Sequence, residues 1–145
     1  MPHRHEIFLK KKSITFINDS KATSFEATKY ALKNNKNIYW ILGGLPKMKD
    51  KFNLKGISSN IIKSFIIGKK VNYFENQIKK KIKYKISFNL NNAIKDVFKE
   101  LLLNENDVAT VLFSPAGASY DQFDNFVDRG NQFKKITKSY AKKFF

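Results

Sequence analysis

Five consecutive apolar residues, Ile38-Tyr39-Trp40-Ile41-Leu42, run directly into Gly43-Gly44, and no other feature restricts the fold as much. A strand with one wet face alternates apolar and polar side chains, so an unbroken apolar run of strand length has no wet face. Val108 to Phe113 repeats the pattern but for Thr110. Strands buried on both faces belong to parallel sheets covered above and below by helices. The chain must therefore carry helices between its strands.

It does. Phe25 to Lys33 predicts a helix with Ser24 as its N-cap. Asn91 to Leu103 has the clearest helical period, with Ile94, Val97, Phe98, Leu101 and Leu102 at i, i+3, i+4, i+7 and i+8. Val71 to Ile78 is a shorter amphipathic segment, and Ile57 to Ile62 also reads as helical. Phe133, Ile136 and Tyr140 form one face of a closing helix from Arg129 to Tyr140. Ser64 to Ile67 and Tyr84 to Phe88 are further strand candidates. Glu6 to Leu9 and Ile14 to Asn18 flank Lys10-Lys11-Lys12-Ser13 as a hairpin. Strands alternating with helices predict one α/β domain, a mostly parallel sheet with helices on both faces. The length, 145 residues, suits a single domain with its own core.

The formal net charge of +16 raises nucleic acid or an anionic surface as a partner. Only Arg4 and Arg129 among the 28 basic residues are arginines, however. Phosphate and base recognition favours arginine's planar fork. The lysines run from end to end, densest at Lys79-Lys80-Lys81, and read as solvated faces. Neither a nucleic-acid nor a membrane partner is expected, nor a metal site. His3 and His5 beside Glu6 are taken as solvated residues of a frayed terminus. Without cysteine there is no disulfide or thiolate site. No stretch approaches the roughly 18 apolar residues of a membrane span. A cytoplasmic monomer is expected.

On parallel sheets, ligands bind beyond the carboxyl ends of the strands, and three polar segments fall there. Asn18-Asp19-Ser20-Lys21-Ala22-Thr23 offers a carboxylate, hydroxyls and an ammonium at a helix start, either as a site or as an ordinary capped turn. Gly43-Gly44-Leu45-Pro46-Lys47 allows a sharp turn or a close backbone approach, with Lys47 as a point charge. It lacks the G-x-x-x-x-G-K-[ST] spacing of a phosphate-binding loop. Ser114-Pro115-Ala116-Gly117-Ala118-Ser119-Tyr120-Asp121-Gln122-Phe123 has small residues before a hydroxyl. Three anion-friendly loops on one edge suit a small ligand with several carboxylates.

In order, Pro2-His3-Arg4-x-Glu6, Asp19-Ser20-Lys21-Ala22-Thr23, Gly43-Gly44-x-x-Lys47 and Ser114-Pro115-Ala116-x-Ala118-Ser119 resemble the third domain of the Mur ligases, in the branch that adds D-glutamate. Asp121, Phe123, Asn125-Phe126 and Arg129-Gly130 extend the likeness, while the stretch from about Phe52 to Asn106 carries no motif. The resemblance implies a Rossmann-like domain, residues 1–145, with the UDP-binding and ATPase domains of the family absent from this sequence. The chain is thus expected to be a fragment, inactive alone.

The resemblance also implies a reaction. ATP phosphorylates the terminal carboxylate of UDP-N-acetylmuramoyl-L-alanine, the amine of D-glutamate attacks the acyl phosphate, and Mg2+ neutralises the phosphate charge. Carried over by position, Thr23, Lys47, Ser119, Tyr120 and Phe126 would hold D-glutamate. Arg4, Asp19 and Lys21 would face ATP, with most of the ATP and Mg2+ contacts in the absent central domain. None of these residues is a general base; their work would be positioning and charge stabilisation. Met48 stands after Lys47 where the family often has glycine, and Gly117 stands where it often has cysteine. Two other readings stay open, a non-catalytic amino-acid-binding module and a basic nucleic-acid binder.

Overall fold

The computed structural model describes residues 1–105 and 107–145. Among them are β1 (Glu6–Lys11), β2 (Ile14–Asn18), α1 (Phe25–Lys33), β3 (Ile38–Gly43), β4 (Ile61–Ile67), α2 (Val71–Ile78), β5 (Tyr84–Phe88), α3 (Leu90–Leu103), β6 (Ala109–Phe113) and α4 (Phe126–Phe144). The fold is α/β, a six-stranded sheet in the order β1-β2-β6-β3-β4-β5. Only β1 runs antiparallel, against β2, and all other pairings are parallel.

Every residue of β3 and of β6 is buried, the polar Thr110 of β6 included, as parallel strands covered on both faces require. Side chains of β3 alternate between two cores. Tyr39 and Ile41 join Phe16, Phe65, Val111 and Phe113 beneath α3 and α4. Ile38, Trp40 and Leu42 join Ile17, Ile66 and Leu112 beneath α1 and α2. Three of the α-helices are capped from their own sequence, while α2 has no side-chain cap. Ser24 accepts from the Ala27 N–H, Asn89 from the Asn92 N–H, and Asn125 from the Asp128 N–H.

The chain passes from β2 to β3, continues outward to β5, and returns to insert β6 between β2 and β3. The carboxyl ends of these three neighbours carry the three motif loops, which therefore stand side by side.

Three expectations need correction. Ile57 to Ile62 is not a helix. One 3-10 turn, Ser58–Asn60, leads straight into β4, whose first residue Ile61 pairs with Ile38. The spacing of Ile57 and Ile61 mimics a helical period, but parallel pairing with β3 claims the β-branched pair Ile61-Ile62. The hairpin is tighter than expected, because β1 extends to Lys11 and Lys12 takes a left-handed φ of 54°. Finally, α4 is longer at both ends than Arg129 to Tyr140.

Gly43 shows what the edge demands. Its φ is +131°, and a Cβ there would lie 2.0 Å from the Ile67 carbonyl oxygen of β4. Gly56 also has a positive φ, +74°, but faces open space. Gly43→Ala is expected to cost about 3 kcal/mol or more of stability, against about 1 kcal/mol for Gly56→Ala. Urea denaturation of both variants checks the difference, and equal losses would contradict this account of the edge.

Candidate functional site

The first motif loop begins where β2 ends. Asp19 is almost fully buried. Its carboxylate accepts from the Ser114 hydroxyl at 2.6 Å and from the His5 backbone N–H at 2.9 Å. Ser114 also lies 3.0 Å from the Thr28 hydroxyl of α1, and its carbonyl accepts from the Trp40 indole at 2.7 Å. Burial pushes the Asp19 carboxyl above its ordinary value, opposed by the hydrogen bonds from Ser114 and His5 and by the charges of His5 and Arg4.

The N-terminal residues form a strap across this loop. The Lys21 N–H donates to the His3 carbonyl, and the His3 N–H donates to Glu6. His3 and His5 both take left-handed φ values, 63° and 42°, uncommon for residues other than glycine. This overturns the reading of a frayed terminus with solvated histidines. His3 is buried, and its Nδ1 accepts from the Asn18 amide at 3.0 Å. Asn18 also donates to Glu6, which is paired with Lys134 of α4. Gly130 makes room for the imidazole, since a Cβ there would lie 2.1 Å from His3 Nδ1. Burial and the charge of Lys134 lower the His3 pKa, with Glu6 opposing.

Arg129 ties the loops together from α4. It is 1% exposed. Its Nε donates to the Ser20 hydroxyl at 3.0 Å, one terminal nitrogen to the Ser20 carbonyl at 2.6 Å, and the other to the Gly117 carbonyl at 2.9 Å. The Ser20 hydroxyl donates onward to the Phe126 carbonyl at 2.7 Å. Burial pushes the guanidinium down to about 10, with Asp121 opposing, so it stays charged at neutral pH. Sequence reasoning placed Arg129 in a motif but gave it no role. The available signal was the choice of arginine in a chain whose other basic residues, Arg4 apart, are lysines.

The second and third loops are joined directly. Leu45 and Ala118 exchange both backbone hydrogen bonds, at 2.9 and 2.8 Å. Gly44 passes so close to Ala118 that a Cβ would lie 2.4 Å from its carbonyl oxygen. Asp50 closes the second loop by accepting from the Phe25 N–H with its carboxylate and from Tyr73 and Gln77 with its carbonyl.

The residues singled out from the sequence fall into two groups. Arg4, Asp19 and Lys21 line one cavity of about 390 Å3, together with His5, Ala22, Ala27 and Tyr30. Lys47 and Thr23 are exposed on the loops beside it, and Ser119, one residue past the Leu45–Ala118 bridge, is 2% exposed. Tyr120 is 70% exposed, so its neighbours do not fix its side chain. Phe126 begins α4, and its ring lies 5.9 Å from the Lys21 ammonium, so this one member of the second group meets the first. Among the described residues, no cluster of three or more His, Cys, Asp or Glu could hold a metal ion, and no helix is long and apolar enough to cross a membrane.

No protein-family model matches the chain. Over 136 residues it is 37% identical to the UDP-N-acetylmuramoylalanine–D-glutamate ligase of Wolbachia sp. subsp. Brugia malayi, covering 94% of this chain and 27% of that protein. The like-named ligase of Bartonella henselae is 38% identical over 133 residues, 92% of this chain and 28% of its own length. That of Rickettsia conorii is 34% identical over 136 residues, 94% and 27%. The chain therefore spans little more than a quarter of the length of these relatives.

Two measurements test this construction. Arg129→Lys keeps the charge but loses the fork, and should destabilise the fold by about 2–4 kcal/mol in urea denaturation; a loss below about 1 kcal/mol would mean the fork is dispensable. The His3 pKa is depressed below its ordinary 6.5, so the unfolded chain binds the extra proton first. Its contribution to stability is present above pH 6.5 and is lost as pH falls through 6.5 toward the lower folded value. His3→Asn, which keeps an acceptor near Nδ1, should flatten the loss of stability between about pH 7.5 and 5.5.

Proposed function

The chain belongs to the family of the UDP-N-acetylmuramoylalanine–D-glutamate ligases, and we propose that it is the domain of such a ligase that binds D-glutamate and closes over ATP in peptidoglycan synthesis. The observation that carries this reading is the convergence of three sequence-separated loops on one sheet edge. They are bound to each other by Arg129, the Asp19–Ser114 hydrogen bond and the Leu45–Ala118 bridge, in a chain alike to these ligases over nearly all its length.

In this reading residues 1–145 are the C-terminal domain of a longer enzyme, whose UDP-binding and ATPase parts lie outside this sequence. D-glutamate is a dicarboxylate, and the exposed Lys47 ammonium is a point charge for one carboxylate. The hydroxyls of Thr23 and Ser119 supply donors for the other, and Phe126 walls the aliphatic stem. The nearby backbone of Tyr120 completes the pocket. Arg4 and Lys21 face the phosphates of ATP, and Asp19 accepts from hydroxyls of the same ligand. The 145 residues contain no G-x-x-x-x-G-K-[ST] loop, so the central domain would hold most of ATP and its Mg2+. That ion neutralises phosphate charge when bound.

The complete enzyme would join D-glutamate to UDP-N-acetylmuramoyl-L-alanine by way of an acyl phosphate. Every residue assigned here positions substrate or stabilises charge, and none moves a proton. The chain alone is then inactive. It should nevertheless bind D-glutamate weakly, in about the millimolar range, with preference over L-glutamate. Calorimetric titration with the two enantiomers checks this. Ser119→Ala and Lys47→Ala should each weaken D-glutamate binding by about tenfold or more. Equal affinity for both enantiomers, unchanged by either substitution, would remove the pocket.

A further inference from the structure

We propose that Tyr30 is a stacking wall for the base of the nucleotide, so that this chain contacts the base and not only the phosphates; the inference rests on the reading of the cavity beside Asp19 as ATP-facing. Tyr30 lies one helical turn after Ala27 on α1, and both line that cavity. The ring is 63% exposed. Single exposed aromatics are ordinary and need no explanation, but this one is set in place from the strap.

The His5 ring meets Tyr30 edge-to-face, with centroids 5.5 Å apart. His5 is itself fixed at both ends. Its backbone N–H donates to Asp19, and its Nε2 accepts from the Asn35 amide at 2.9 Å. The orientation of that amide is set by a second bond, 2.8 Å, to the Ala31 carbonyl on α1. A left-handed residue on the strap is thus held against a side chain of α1, and the result is an oriented aromatic surface opening on the cavity. Ala27 beside it has only a methyl group, which leaves the space next to the ring clear.

The cavity lining then matches a nucleotide part by part. Arg4 and Lys21 are cations for phosphates, Asp19 is an acceptor for sugar hydroxyls, and Tyr30 is a π-face for a base. The volume of about 390 Å3 is within the range of small-molecule sites. Stacking on an exposed aromatic is tolerant of base identity, so the wall contributes affinity more than discrimination among bases.

The test is proton NMR of ATP titrated with the full chain, with inorganic tripolyphosphate in a parallel titration. The wild-type chain should shift the adenine H2 and H8 resonances upfield and bind ATP more tightly than tripolyphosphate. Tyr30→Ala should abolish the upfield shift and weaken ATP about tenfold, leaving tripolyphosphate unchanged, and Tyr30→Phe should restore both. If Tyr30→Ala binds ATP as the wild type does, or if wild type binds tripolyphosphate as tightly as ATP, the stacking wall is overturned while the ATP-facing cavity stands. If wild type binds neither ligand, the ATP-facing reading falls and the inference falls with it.

Discussion

The site edge depends on a buried cation. Arg129 sits almost completely inside the protein, and its directed hydrogen bonds go to neutral oxygens of Ser20 and Gly117, not to a carboxylate. Burying a charge without a contacting counter-ion is costly, and the lowered pKa records that cost. The cost is tolerable because the guanidinium spreads its charge and aims several donors at once. A carbonyl at the end of a parallel strand has no ladder partner beyond the sheet. One arginine satisfies such groups from two loops and lies 5.8 Å from the face of Phe113 besides. Lysine, a point charge on a flexible stem, cannot hold two loops in one register.

From that fixed point the geometry of the edge follows. With Ser20 and Gly117 tied to α4, the loops after β2 and β6 are set at the spacing of neighbouring strands. Asp19 and Ser114 then meet across the gap, and Asp19 in turn holds the strap by the His5 N–H. The strap is what carries Arg4 into the cavity. Gly44 allows the loop after β3 to reach Ala118, which ties the second motif loop to the third. Each contact restricts where the next can form, and the sheet supplies only the starting distances.

The fold was legible because its strongest signal is solvent exclusion. Ile38 to Leu42 could only be a two-faced strand, Val108 to Phe113 became one from Ala109 on with Val108 left exposed, and Asn91 to Leu103 could only be an amphipathic helix. Legibility failed where two patterns competed. Ile57 and Ile61 are spaced as on a helix, yet pairing to β3, a non-local interaction, decided the outcome. It failed also where burial comes from another part of the chain. Nothing within Pro2 to Glu6 announces that Gly130, more than a hundred residues away, leaves a slot for His3. The candidate binding residues lay in recognisable words, but the residue that orients them had only its rarity to mark it. A framework arginine and a ligand-facing arginine look the same in a sequence.

That ambiguity has a physical resolution in this chain. Its cations divide by how their donors are used. Arg129 is buried with donors pointed at loop oxygens, and so is unavailable to a ligand. Lys47 and Lys21 are exposed at the same edge, and among the described residues neither forms an ion pair with a carboxylate. Arg4, also exposed, is delivered to the cavity by a strained strap. A protein that only needed stability would gain little from holding two histidines at left-handed φ in order to place, beside a buried carboxylate, an arginine that among the described residues forms no ion pair. The strap, held by several hydrogen bonds, thus ends in positive charge at the cavity that the proposed reading gives to the phosphates of ATP.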